Sequence, residues 1–216
     1  MVVEDKYSLV RERILDWYKG NKRDYPWRKS RSLYQILVTE ILLQKTIALN
    51  VSNIYNDFFT KYEDFSTIYN ADISNLQSDI KRLGLSNKRA KILKDLSQMI
   101  LTDYSGEIPK DPEILKTVNG IADYVSNAFA CFGLNDRTFF FDVNIKRFIQ
   151  RVFKPQDVKV SPDIIYTELD KLLPKTDFKY MYWAILDFGN KICSKNNPKC
   201  ELCPISDKCF YFLNLS

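Results

Sequence analysis

Four of the chain's five cysteines, Cys193, Cys200, Cys203 and Cys209, form one run with the spacing C-x6-C-x2-C-x5-C. Four thiolates this close in sequence can wrap one inorganic centre. The chain shows no secretory leader and no apolar run long enough for a bilayer span. Both absences point to a reducing, intracellular setting, where such cysteines are metal ligands or redox groups more often than disulfides. Structural zinc takes two close pairs, and only Cys200 and Cys203 are that close. The uneven run suits a [4Fe–4S] cluster first, zinc next and free thiols last.

Carboxylates are the next candidates, because the chain has no histidine. Proton transfer near neutral pH then falls to carboxylates, tyrosine, lysine or water. Asp142 opens a helix carrying Ile145, Phe148, Ile149 and Val152, the place of an ordinary N-cap. Phe139, Phe140 and Phe141 precede it and could also wall it off from water. Glu40 lies among Ile36, Leu37, Leu43 and Ile47 on an apolar helix, so desolvation should raise its pKa. A carboxylate bonded to a nearby helix start is the plainer reading of Glu40. In the run Val118 to Ala122, Gly120 falls where a tight helix–helix turn needs a positive φ. Backbone N–H groups after it could receive a phosphate, although a plain αα-hairpin explains the run equally well.

The elements that must position these groups read as helices throughout. Apolar residues recur at helical spacing in Tyr7 to Tyr18, Leu33 to Phe59, and Ile92 to Tyr104. Short helices broken at Gly84 fill Phe65 to Lys94, and Thr138 to Val143 is the one β-like stretch. Ile121, Val125, Ala128, Phe129 and Phe132 form a core-facing stripe on the helix after the hairpin, and Cys131 beside it reads as packing. All-α is therefore the expected fold class. The 216 residues suffice for one large or two small domains, and the formal charge of +5 leaves a polyanion unrepelled.

A hairpin, an Asp opening the next helix, and a terminal C-x6-C-x2-C-x5-C together resemble the endonuclease III superfamily of helix–hairpin–helix DNA glycosylases. Nearly the whole chain is covered. Pro26-Trp27-Arg28 and the helix Thr39 to Thr46 resemble the adenine and mismatch glycosylase branches. The resemblance implies two helical domains, 30–134 as a barrel holding the hairpin and 1–29 plus 135–216 closed by an iron–sulfur loop. It also implies that a nucleotide is swung out of the duplex. The hairpin departs from the usual L-P-G-V-G, with Asn119 for the proline and Ala122 for the second glycine, while Gly120 is kept; Ile121 lies between.

By that resemblance Asp142 is the catalytic aspartate, stabilising positive charge on the deoxyribose or activating water. Asn144 and Arg147 hold its helix start. Tyr124 stands where the strand-cleaving branch carries a lysine; a phenol forms no imine, so lyase activity should be weak or absent. Tyrosine there fits the branch that removes thymine or uracil opposite guanine, whereas the adenine branch usually has serine. Glu40 matches a general acid of the adenine branch. Gln44 matches the residue that fills the gap left by the flipped base, Leu85 could wedge the opposite strand, and Lys88 and Arg89 could meet phosphate.

The implied function is a monofunctional glycosylase hydrolysing thymine or uracil mispaired with guanine. An adenine glycosylase is the alternative, and a non-catalytic DNA-binding module the third reading. The implied partner is double-stranded DNA bearing a mismatch or lesion, bound by a monomer, with no membrane involvement, in a prokaryotic cytoplasm at the nucleoid.

Overall fold

Every regular element among residues 5–214, which this computed structural model describes, is helical. The chain divides into two compact units: one takes the residues up to Arg23 and those from Phe139 on, the other Asp24–Thr138. The sequence suggests junctions at 29/30 and 134/135. The first falls earlier because Tyr25 and Trp27 belong to the second unit. Their rings stack at 4.5 Å, and Trp27 packs near Tyr55, with centroids 6.0 Å apart.

The second unit comprises α2 (Leu33–Leu43), α3 (Ala48–Lys61), α4 (Phe65–Asn70), α5 (Ile73–Asp79), α6 (Ser86–Asp103), α7 (Pro112–Leu115) and α8 (Asp123–Phe129), with α1 (Lys6–Asn21) lying in the first. Ser32 caps α2 by accepting from the Gln35 N–H. All residues of α2 from Ile36 to Leu42 are buried. A helix apolar on every side belongs at the centre of a core, and α2 duly packs against α3, α6 and α8. The periodic stretch expected as one element from Leu33 to Phe59 is two helices. They part at Gln44 to Ile47, where Lys45 takes a left-handed φ of 50°. Conversely, the stretch expected to restart at Ile92 is the continuation of α6, which begins at Ser86 just after the left-handed Leu85. The β-like segment ending at Val143 is extended backbone, with no strand among the described residues.

The first unit is built from α1, α9 (Val143–Phe153), α10 (Pro162–Leu172), α11 (Phe178–Lys191) and the short α12 (Phe210–Leu213). Val10, Ile14 and Tyr18 of α1 are buried, and α1 packs on α10 and α11. On α9 the buried residues are Ile145, Phe148, Ile149, Val152 and Phe153, spaced as one stripe. Two buried carboxylates are paid for by pairing: Asp187 accepts from the Arg23 Nε at 2.6 Å, and Glu168 meets Lys154 at 2.9 Å and the Tyr7 hydroxyl at 2.7 Å.

Candidate active site

Asp142 caps α9. Its Oδ1 accepts from the backbone N–H of Asn144 and of Ile145, both at 2.8 Å, and its Oδ2 from the Asn144 side-chain amide at 2.7 Å. Three donors hold the carboxylate in one orientation, while the residue stays only half-buried. Asn144 is held in turn, since its Oδ1 accepts from the Arg147 Nη2 at 2.8 Å. Arg147 also donates to the carbonyls of Gly189 and Cys193, each at 2.8 Å. Gly189 permits this approach: a Cβ there would sit 3.1 Å from the Asn144 Cβ. Sequence reasoning passed over Gly189, whose role appears only once α11 lies against α9. Of the phenylalanines before Asp142 only Phe140 is buried, stacked on Tyr182 at 4.2 Å; Phe139 and Phe141 are half-buried, and Phe141 meets Tyr166 edge-on at 5.6 Å.

Cys193, Cys200, Cys203 and Cys209 line one cavity of the same unit, together with Arg151, Ile205 and Phe188. Among the described residues no three Cys, Asp or Glu side chains close on a single point as a lone metal ion requires. Burial raises the Cys200, Cys203 and Cys209 thiols, that of Cys203 to about 12. Thiolates in such surroundings need a cationic partner beside them. The Arg151 guanidinium, 3.5 Å from the Cys193 sulfur, is the protein's own contribution and had no signal in the spacing of the cysteines. Cys131 is fully buried, as packing requires.

In the second unit, Glu40 is 3 % exposed and its Oε2 has no hydrogen-bond partner. Burial alone pushes its carboxyl up to about 8, so it is protonated at neutral pH. The expected partner at a helix start is absent from the described residues. Tyr124, one helix position before the fully buried Val125, is half-buried and packs against the edge of this unit's core.

The hairpin turn has Gly120 at φ 106°, and a Cβ on it would fall 2.5 Å from the Cδ1 of buried Ile92. Asn119 and Ala122 are exposed, whereas the Ile121 side chain is buried. The row of outward N–H groups expected there is incomplete: the Ile121 N–H turns in to the Val118 carbonyl at 3.0 Å. Asp123 adds a carboxylate at the start of α8, bridged by Lys116 at 2.9 Å.

Gln44 and Lys88 meet at this turn. The Gln44 amide donates to the Gly120 carbonyl at 3.0 Å, and the Lys88 side chain passes within 3.8 Å of where a Gly120 Cβ would lie. Lys88 is exposed, and Leu85 is 55 % exposed in a left-handed conformation. Arg89 departs from expectation. It is 1 % exposed, and its guanidinium donates to the carbonyls of Leu83, Gly84 and Gln44. A side chain committed to three internal acceptors is no surface cation for phosphate. It faces inward because it lies one turn from buried Leu93 on the apolar side of α6.

Residues 38–175 match the family model described as "HhH-GPD superfamily base excision DNA repair protein". A thymine/uracil-DNA glycosylase of Methanothermobacter thermautotrophicus is 34% identical over 201 residues, covering 92% of this chain and 91% of the relative. An adenine DNA glycosylase of Mycobacterium tuberculosis is 31% identical over 89% of this chain and 64% of its own length. The solved structure of a thermostable thymine-DNA glycosylase superposes with a TM-score of 0.89 at 33% identity, over 96% of this chain and 97% of that one. With a family match over more than half its length and relatives this similar along nearly all of it, the chain belongs to the HhH-GPD superfamily of base excision DNA repair proteins.

Proposed function

We propose that the protein is a monofunctional DNA glycosylase that hydrolyses thymine or uracil mispaired with guanine. The observation that carries this reading is the similarity to thymine/uracil-DNA glycosylase along 92% of the chain. Asp142 and the absence of a lysine at position 124 agree with it. Asp142, its carboxylate fixed by three donors, stabilises the positive charge that grows on the deoxyribose, or orients the attacking water. Glu40 carries a proton at neutral pH and can release it toward the departing base. Tyr124 offers a ring and a hydroxyl but no amine, so no covalent imine forms and the strand stays whole.

Gln44 fills the space the base vacates and the exposed Leu85 presses on the opposite strand. Lys88, with Asn119, Gly120 and Ala122 at the hairpin, meets phosphates, and Asn144 keeps Asp142 in register. The four cysteines line one cavity, and their uneven sequence run with a single close pair suits a [4Fe–4S] cluster better than a zinc ion. Cys193, Cys200, Cys203 and Cys209 would hold the cluster, which would cross-link the loop they span. The protein works as a monomer on chromosomal DNA; no helix among the described residues is long and apolar enough to cross a membrane.

The adenine reading has its own support in the adenine glycosylase relative and in buried Glu40. One assay separates the readings. Duplexes bearing T/G, U/G, A/8-oxoguanine and an oxidised pyrimidine are incubated with the protein, and the products are split with and without alkali. Alkali-dependent cleavage at T/G and U/G supports the proposal. Adenine release favours the alternative, cleavage without alkali contradicts the role of Tyr124, and no product on any duplex leaves a DNA-binding module.

A further inference from the structure

A buried guanidinium is a costly way to fill a core, and Arg89 leaves its Nε without a partner as well. What it holds explains its presence. Its three acceptors are the carbonyls of Leu83, Gly84 and Gln44, from two loops far apart in sequence. The Gly84 carbonyl lies in the peptide plane that leads into Leu85, and the Gln44 carbonyl in the plane that leads into Lys45. Both following residues are left-handed, with φ 51° at Leu85 and 50° at Lys45. Non-glycine residues keep that conformation only where their surroundings over-determine it. A carbonyl held in place holds the rotation of its peptide plane, which constrains the φ of the residue that follows.

The two pinned loops carry the side chains with most to do. Leu85 stands 55 % exposed at one, and Gln44 at the other reaches the Gly120 carbonyl. We infer that Arg89 is a positioning residue that locks Leu85 and Gln44 into one pre-set pair, ready to enter a duplex together. The inference rests on the glycosylase reading for its purpose, though not for its geometry. A pair fixed in advance loses no freedom on binding, so the gain falls on distorted duplexes and not on general attraction to DNA.

The test compares full-length Arg89→Met with the parent in an Asp142→Asn background, which holds the substrate intact. The duplex carries 2-aminopurine beside a T/G pair, so that fluorescence reports the flipped base. Arg89→Met is expected to weaken mismatch-dependent flipping about tenfold while binding to fully paired duplex changes less than about threefold. The salt slope of binding should stay unchanged, because a buried cation releases no counterion. A slope smaller by about one phosphate would make Arg89 a DNA contact and overturn the inference.

In a Gln44→Ala, Leu85→Ala background, Arg89→Met should add less than about twofold; a full tenfold loss there means that it acts elsewhere. Amide hydrogen exchange at Thr46 and Gly84, whose N–H groups bond the Leu43 and Lys81 carbonyls across these two turns, should quicken in Arg89→Met. This readout needs no DNA, so it decides the pinning even where the parent shows no mismatch signal and the glycosylase reading itself fails. Unchanged exchange sinks the inference. Where Arg89→Met does not fold, Arg89→Gln carries the same comparisons.

Discussion

Replacing Glu40 by glutamine should turn a pH-dependent protein into a flatter one. In the unfolded chain the carboxyl ionises near 4.5, and in the fold near 8 because burial disfavours the charged form. A raised folded value means that the folded state holds the proton more tightly between these limits. The stability it contributes is complete below 4.5 and is lost as pH rises through 8. The whole loss is at most about 5 kcal/mol, of which about 2 has already gone at about pH 6. Wild type should therefore lose about 3 kcal/mol more than Glu40→Gln between about pH 6 and about pH 9. Glutamine removes that slope, though its amide brings its own unpaired donors into the same apolar surroundings. Urea unfolding of both proteins at the two pH values, followed by far-UV circular dichroism, gives the difference directly. Parallel stabilities across the range would mean that Glu40 is hydrated or paired in solution, and the assignment of a neutral proton donor would fall with it.

Asp142→Asn keeps the two backbone cap bonds on Oδ1 but turns an amide donor toward the Asn144 side-chain amide, from which the carboxylate accepts at 2.7 Å. Stability should fall by about 1–2 kcal/mol for that lost bond while base release drops by orders of magnitude; turnover at the wild-type rate would remove Asp142 from the chemistry. Gly120→Ala forces a Cβ to within 2.5 Å of Ile92 at φ 106°. Strain and overpacking together should cost about 2–5 kcal/mol, read from the urea midpoint. Cys203→Ser should lower the iron content of protein purified without oxygen and make α12 easier to digest. Iron and digestion equal to wild type would argue against a cluster at these cysteines.

Several site features were legible in the chain because they depend on local grammar. Asp142 as the opener of α9, the positive φ of Gly120 and the burial of Cys131 each follow from neighbours a few residues away. The burial of Glu40 followed from the apolar helix around it. What escaped notice depends on distant pieces of chain. Arg89 sits in a cationic surface-like run, Lys88-Arg89-Ala90-Lys91, and only the fold shows one of these turned inward to the Gln44 carbonyl. Gly189 has a reason to be glycine only once α11 lies on Asn144. The break between α2 and α3 hides because apolar periodicity continues through it, and no Gly or Pro marks the left-handed Lys45.

The unit built from both ends of the chain has a consequence for the order in which the molecule can mature. Tyr7 finds its partner Glu168 161 residues later, and the apolar stripe of α1 is covered by helices that come after Phe139. A nascent chain emerging from the ribosome thus carries α1 uncovered while residues 24–138, a compact unit continuous in sequence, can already close. Chaperone capture, heat-triggered clumping and stalled synthesis should accordingly strike α1 before residues 24–138.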